Sequence, residues 1–163
     1  MRRSHAFTLL ELLMTVAILA ILVSLSAPPL TRLVADQQLS SQANSWLSLA
    51  LYARQEAMRQ GRPMQLCQWR DKHCVSDGYT PWSVLPASAS SDNEILRTLP
   101  LEATAVEQHS NRLRYTFQPR GNATNGSFTL CDSRGRADAR RVVLNMAGRP
   151  RTERVPDTGS CPQ

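Results

Sequence analysis

Hydrophobic positions fall into three regimes along the chain. From Phe7 to Leu25 they are nearly continuous, FTLLELLMTVAILAILVSL, with a single charge at Glu11. A run of that length predicts a helix of roughly 28 Å, close to the hydrocarbon thickness of a bilayer. After Ser26-Ala27-Pro28-Pro29, apolar residues recur every three or four positions at Leu39, Ala43, Trp46, Leu47, Ala50, Ala53 and Ala57. Arg32, Asp36, Gln37, Ser41, Gln55 and Arg59 mark the opposite side. The spacing predicts an amphipathic helix from Leu30 to Gln60, stopped by Gly61-Arg62-Pro63, with one face on a folded head. The two helical stretches should form one long rod, kinked or loosened at Pro28, which lacks an N–H and crowds the preceding turn.

Beyond Pro63 the period shortens to alternation. Pro63 to Trp69, Trp82 to Leu85, Arg112 to Gln118, Ser127 to Cys131 and Arg141 to Met146 read as strands. In the third, Leu113, Tyr115 and Phe117 share one face and Arg112, Arg114 and Thr116 the other; in the last, Val142, Leu144 and Met146 point inward. Pro86 to Asn93, Gly121 to Gly126 and Arg134 to Asp138 are turn-rich, and the first of these is a small polar loop. Strands following a long helix predict an α+β module with one core: a helix to residue 60 and a β-rich head over 61–163.

The short basic start, with Arg2 and Arg3, keeps the N-terminus cytoplasmic and sends the rest across the membrane. A cleavable secretory signal accounts poorly for this segment, because Glu11 interrupts the apolar run and Ala27 is followed by two prolines. The residues His5-Ala6-Phe7-Thr8-Leu9-Leu10-Glu11 resemble the class III signal of type IV pilins and type II secretion pseudopilins. That resemblance implies a leader at 1–6, cut before Phe7 by a prepilin peptidase and followed by N-methylation of Phe7. It implies a membrane and filament-core helix over 7–29, and a long helix packed on an antiparallel sheet domain. Ala6 stands where the family usually has Gly. Glu11 then pairs with the charged N-terminus of a neighbouring subunit, which offsets its desolvation. Pro28 matches the proline associated with local helix melting during assembly.

The four cysteines all follow the apolar run, and an even number suits an oxidising compartment. Three pairings are possible. The local one, Cys67 with Cys74 and Cys131 with Cys161, is favoured. Zinc is the rival, since His73 adjoins Cys74, but no C-x-x-C spacing supports a metal and no cofactor is expected. Catalysis has no motif either: there is no G-x-S-x-G and no Gly-rich phosphate loop, and His5, His73 and His109 stand apart. The expected protein is not an enzyme.

Net charge is +6, and 18 of the 19 basic residues are arginine. The distribution says more. Residues 26–111 carry seven basic and eight acidic groups, whereas Arg112 to Arg154 holds ten arginines against Asp132, Asp138 and Glu153. A basic third of this kind predicts a polyanion partner bound through phosphates. The rival account is an ordinary solvated face. Within that third, Gly148-Arg149-Pro150-Arg151 sets two guanidiniums around one rigid residue.

The segments ARQEAMRQGRPMQLC (53–67), YTFQPRGNATNGSFTLCDSRG (115–135) and RRVVLNMAGRPR (140–151) resemble the FimT/GspH branch of minor pilins and pseudopilins, most of all its FimT members. The resemblance implies a GRxR motif at Gly148, Arg149 and Arg151 that contacts DNA at or near a pilus tip. It implies uptake of extracellular double-stranded DNA in natural transformation. Arg149 and Arg151 are then the expected phosphate clamps, and Arg120, Arg136, Arg140, Arg141 and Arg154 of the basic third the expected supporting contacts. Its partners are then double-stranded DNA, other major and minor pilins, the prepilin peptidase and the inner membrane. Its place is the bacterial inner membrane, with a periplasmic C-terminus, and then the pilus fibre or tip. Two other roles fit the same branch: a structural minor pilin that primes assembly, and a minor pseudopilin of a type II secretion system. Aromatics in the basic third (Tyr115, Phe117, Phe128) should face inward, which disfavours single-strand stacking.

Overall fold

The computed structural model describes residues 8–78, 80–100, 106–135 and 137–156, with backbone alone for 24–29. One helix, α1, runs from Leu9 to Gln60. Thr8 caps it by accepting from the Glu11 N–H at 3.3 Å, and Gly61 ends it in the left-handed region at φ 64°. At Pro28, where a kink or loosening is expected, the backbone remains helical and continues through Pro29. Proline's fixed φ is itself helical, so its cost lies in a lost hydrogen bond rather than in the dihedral.

The two halves of α1 differ in what covers them. Leu9, Leu13, Ile18, Leu22, Leu30 and Leu33 are all exposed, which makes this half an apolar rod. From Ala35 onward one stripe is buried: Leu39, Ala43, Trp46, Leu49, Ala50, Ala53 and Ala57. Leu47, expected in that stripe, is half-buried, and Leu49 replaces it. One residue beyond Trp46 is a turn of about 100°, which carries Leu47 to the margin of the stripe.

Among the described residues nine strands follow: β1 (Met64–Arg70), β2 (His73–Val75), β3 (Trp82–Pro86), β4 (Arg97–Leu99), β5 (Val106–Ser110), β6 (Arg114–Phe117), β7 (Gly126–Asp132), β8 (Ala139–Leu144) and β9 (Pro150–Val155). They make two antiparallel sheets. The first has the order β2-β1-β3-β4 with β6 also on β1, and the second β5-β7-β8-β9. Both pack on α1, so the predicted α+β class holds, with two sheets in place of one sheet system. The strands missed by alternation are β2, β4, β5 and β9. Two inward assignments also fail: Leu113 is 49% and Met146 72% exposed. Leu113 precedes the start of β6, and β8 ends at Leu144, so neither residue sits in a ladder.

Trp46 joins the layers. Its ring stacks on Phe128 of β7, 4.8 Å between centroids, and meets Trp82 of β3 and Tyr115 of β6 edge-on at 5.8 and 5.3 Å. Offset and edge contacts are the favoured aromatic geometries, so one helical residue holds both sheets. Tyr115 adds a polar tie: its hydroxyl donates to the Ser127 carbonyl at 2.7 Å and lies 2.8 Å from Ser110 Oγ. Burial pushes its pKa up to about 12. Tyr115→Phe is expected to lower stability by about 1 kcal/mol in urea denaturation, the net worth of one such tie, with the core otherwise unchanged.

Cys67 and Cys74 are disulfide-bonded, Cα to Cα 5.6 Å, clamping β1 to β2. Cys131 is disulfide-bonded as well; Cys161 lies outside the described residues.

Candidate nucleic-acid interface

Two turns meet at one corner of the head, beside the C-terminal turns of α1. The first links β8 to β9: the Gly148 N–H donates to the Asn145 carbonyl at 2.9 Å, and Asn145 Oδ1 accepts from the Arg149 N–H at 2.9 Å. The second follows β6, where the Gly121 N–H donates to the Gln118 carbonyl at 2.8 Å. A backbone bond from Ala123 N–H to the Met146 carbonyl, 3.0 Å, ties one turn to the other. Gly148 has φ 68°, and a Cβ there would stand 2.2 Å from the Gly121 carbonyl oxygen. That same oxygen accepts from Arg54 Nε of α1 at 2.8 Å. Glycine is therefore required at 148 for its conformation and for the close approach.

This packing brings Arg120 and Arg149 to one corner. Both are exposed, and neither has an acidic partner among the described residues. Arg151 is two residues along β9, about 6.8 Å by strand rise; it is 74% exposed, with Glu153 3.8 Å away. Arg112, exposed, donates from Nε to the Asn125 carbonyl at 3.2 Å, on the strand-end row that also holds Asn145. Half-buried Arg54 lies beneath both turns. Arg59, by contrast, is spent on Glu56, whose pKa is held down to about 2 by the Arg59 hydrogen bond first and Gln60's second.

The other predicted arginines separate. Arg140 is buried: its Nη2 donates to Asp36 Oδ1 at 2.5 Å and its Nε to Ser40 Oγ at 3.1 Å, both on α1. Contact with DNA is corrected for this residue, which anchors the second sheet to the helix. Arg154 shares Asp36 at 3.4 Å while staying exposed. Arg141 faces Thr129 at 3.4 Å and Glu153 at 3.8 Å. Arg136 lies outside the described residues.

A family model for the type II transport protein GspH matches residues 42–148. The chain belongs to the GspH family. A model of the prokaryotic N-terminal methylation motif matches residues 1–27 of this GspH-family chain. Among solved structures, it is similar to the type IV minor pilin FimU of Pseudomonas aeruginosa PAO1. The identity is 24% with a TM-score of 0.59, over 78% of this chain and 94% of that one. It is also similar to the minor pseudopilin EpsH from the type 2 secretion system of Vibrio cholerae, at 12% identity and TM-score 0.51, over 71% and 96%. These likenesses show the fold, a long N-terminal helix on antiparallel sheets. No curated protein matches. The fold and the family match therefore agree on a type IV pilin-like chain of the GspH family.

In this GspH-family chain, Ala6 and Phe7 lie outside the described residues. Glu11 sits exposed in the first turn of α1, on the bare apolar rod. Pro28 continues the helical backbone. Among the described residues no helix is long and apolar enough to cross a membrane; the side chains described in the apolar run are those of 8–23. Sequence reasoning missed Arg54 and gave Arg112 no role in binding.

Proposed function

We propose that this GspH-family protein is a minor type IV pilin that binds extracellular double-stranded DNA without sequence preference, for uptake in natural transformation. Prepilin peptidase cuts before Phe7, and the helix over 7–29 holds the protein in the inner membrane. The same helix then assembles it with other major and minor pilins into the fibre or its tip. The observation that supports DNA capture is the meeting of Arg120 and Arg149 on two interlocked turns, exposed and without acidic partners among the described residues. Arg151, 74% exposed, extends that line although Glu153 stands 3.8 Å away, and Arg141 and Arg154, also shared with carboxylates, contribute less. Phosphates suit such a site because guanidinium forks match their geometry and bound counterions are released. The role assigned is binding and assembly, with no catalytic step.

One observation favours a structural role instead, either priming of pilus assembly or service as a minor pseudopilin in type II secretion. Gly148 is explained by its packing on Gly121 alone, whatever Arg149 does. A titration of the full chain in detergent micelles with short duplex DNA separates the two. Three phosphate contacts predict a slope of log affinity on log salt of roughly −2.7, or about a 40-fold loss between about 50 and 200 mM salt. No binding at the lower salt would replace DNA capture by the structural role.

A further inference from the structure

Met146 sits between Asn145 and Gly148 at the apex of the β8–β9 turn, 72% exposed, where turn chemistry favours Gly, Asn, Asp or Ser. Its backbone is fixed. The carbonyl accepts from Ala123, the turn is closed by Gly148 and Arg149, and the whole unit is jammed against Gly121. The side chain is thus an apolar probe held out on a rigid support, with Arg149 on its own turn and Arg120 on the adjoining one. Met58 of α1, 43% exposed, reaches the same corner: its sulfur lies 3.2 Å from where a Gly121 Cβ would stand.

We propose that Met146 is an apolar wedge that enters the minor groove of the bound duplex, while Arg120 and Arg149 hold the phosphates on either side. This rests on the DNA-binding reading above and deepens it. A thioether offers only a weak acceptor, so Met146 has nothing with which to read the donor and acceptor code of the major groove. The minor groove is narrow, draws arginine through its negative potential, and accepts apolar side chains such as Met or Leu as wedges between base steps. A wedge there is sequence-tolerant, as the arginine contacts are. It also discriminates duplex from single strands without exposed aromatic side chains at this corner among the described residues, since its contact is the stacked step itself. The rigid turn matters because insertion must offset the cost of unstacking, and a probe already ordered loses little entropy on binding.

The test uses the full chain in detergent micelles and a short duplex carrying 2-aminopurine, whose fluorescence rises on unstacking, at about 50 mM salt. Wild type is expected to bind with a fluorescence rise and to be displaced by distamycin, which fills the minor groove. Met146→Ser is expected to weaken binding about fivefold and remove the rise while keeping the salt slope, because only apolar burial is lost. Met146→Leu should retain both. Tryptophan fluorescence of the Trp46 cluster reports that each variant is folded. Binding by wild type without a rise or without displacement by distamycin overturns the wedge and leaves the arginine contacts standing, as does a Met146→Ser variant indistinguishable from wild type. Absence of wild-type binding overturns the wedge and DNA capture together.

Discussion

Replacing Arg120 and Arg149 together by glutamine is expected to weaken duplex binding about 100-fold at low salt, taking each charge-assisted phosphate contact as worth roughly 1.4 kcal/mol. The salt slope should shrink by about 1.8, since each neutralised phosphate contributes about 0.9. The geometry makes this pair the centre of the expected effect. Both residues are exposed and lack acidic partners among the described residues, whereas Arg154 contacts Asp36 at 3.4 Å and Arg141 is 3.8 Å from Glu153. The matched lysine variants should restore the slope but only part of the affinity, because an ammonium keeps the charge and loses the planar fork. Neither substitution touches the core, so denaturation midpoints should stay within the usual small range for surface changes. Titration of wild type, the glutamine pair and the lysine pair at two salt concentrations is sufficient. Equal affinity and slope in all three would remove this corner from DNA binding.

Much of this architecture was legible because the periods are strong. A bare apolar run followed by three-and-four spacing left little room for anything except a long helix, and α1 runs to Gln60 as expected. Strands β1, β3, β6, β7 and β8 lie where alternation put them, within a few residues at each end. What was lost has physical causes. β2 is three residues long and is reached through Asp71 and Lys72, both at positive φ, where no glycine marks the turn. β9, PRTERV, is an edge strand whose charged residues hide its alternation, and edge strands are commonly charged. The inward position of Arg140, by contrast, is carried by the strand's period. Val142 and Leu144 were read as inward, and residue 140 shares their parity in a strand of period two. It had to face the helix, where Asp36 meets it. The Arg54, Gly121 and Gly148 contact is different in kind: it links positions far apart in sequence, and no local pattern carries such information.

Gly148→Ala is expected to destabilise the head by roughly 2–5 kcal/mol, combining left-handed strain with overpacking against a backbone atom. The comparison that isolates the second cause is Gly61→Ala. Gly61 has nearly the same φ, 64° against 68°, but a Cβ there meets nothing within 4 Å, whereas at 148 it would stand 2.2 Å from the Gly121 carbonyl oxygen. Gly61→Ala should therefore cost only the strain, roughly 1–2 kcal/mol. Urea denaturation of the two variants gives the difference directly. If Gly148→Ala costs no more than Gly61→Ala, the two turns are not interlocked through Gly121, and Arg120 and Arg149 lose the support that holds them at one corner. If it costs more, the glycine of the GRxR motif is fixed by packing, and only its arginines are free to be selected for a ligand. That separation has a consequence for the family. A GR pair after β8 can persist in a pilin that never meets DNA, because the glycine alone keeps the two turns together. Binding is then decided by what surrounds Arg149: Arg120 on the facing turn, which like Arg149 has no acidic partner among the described residues, and Arg151 along the edge strand, with Glu153 3.8 Å away.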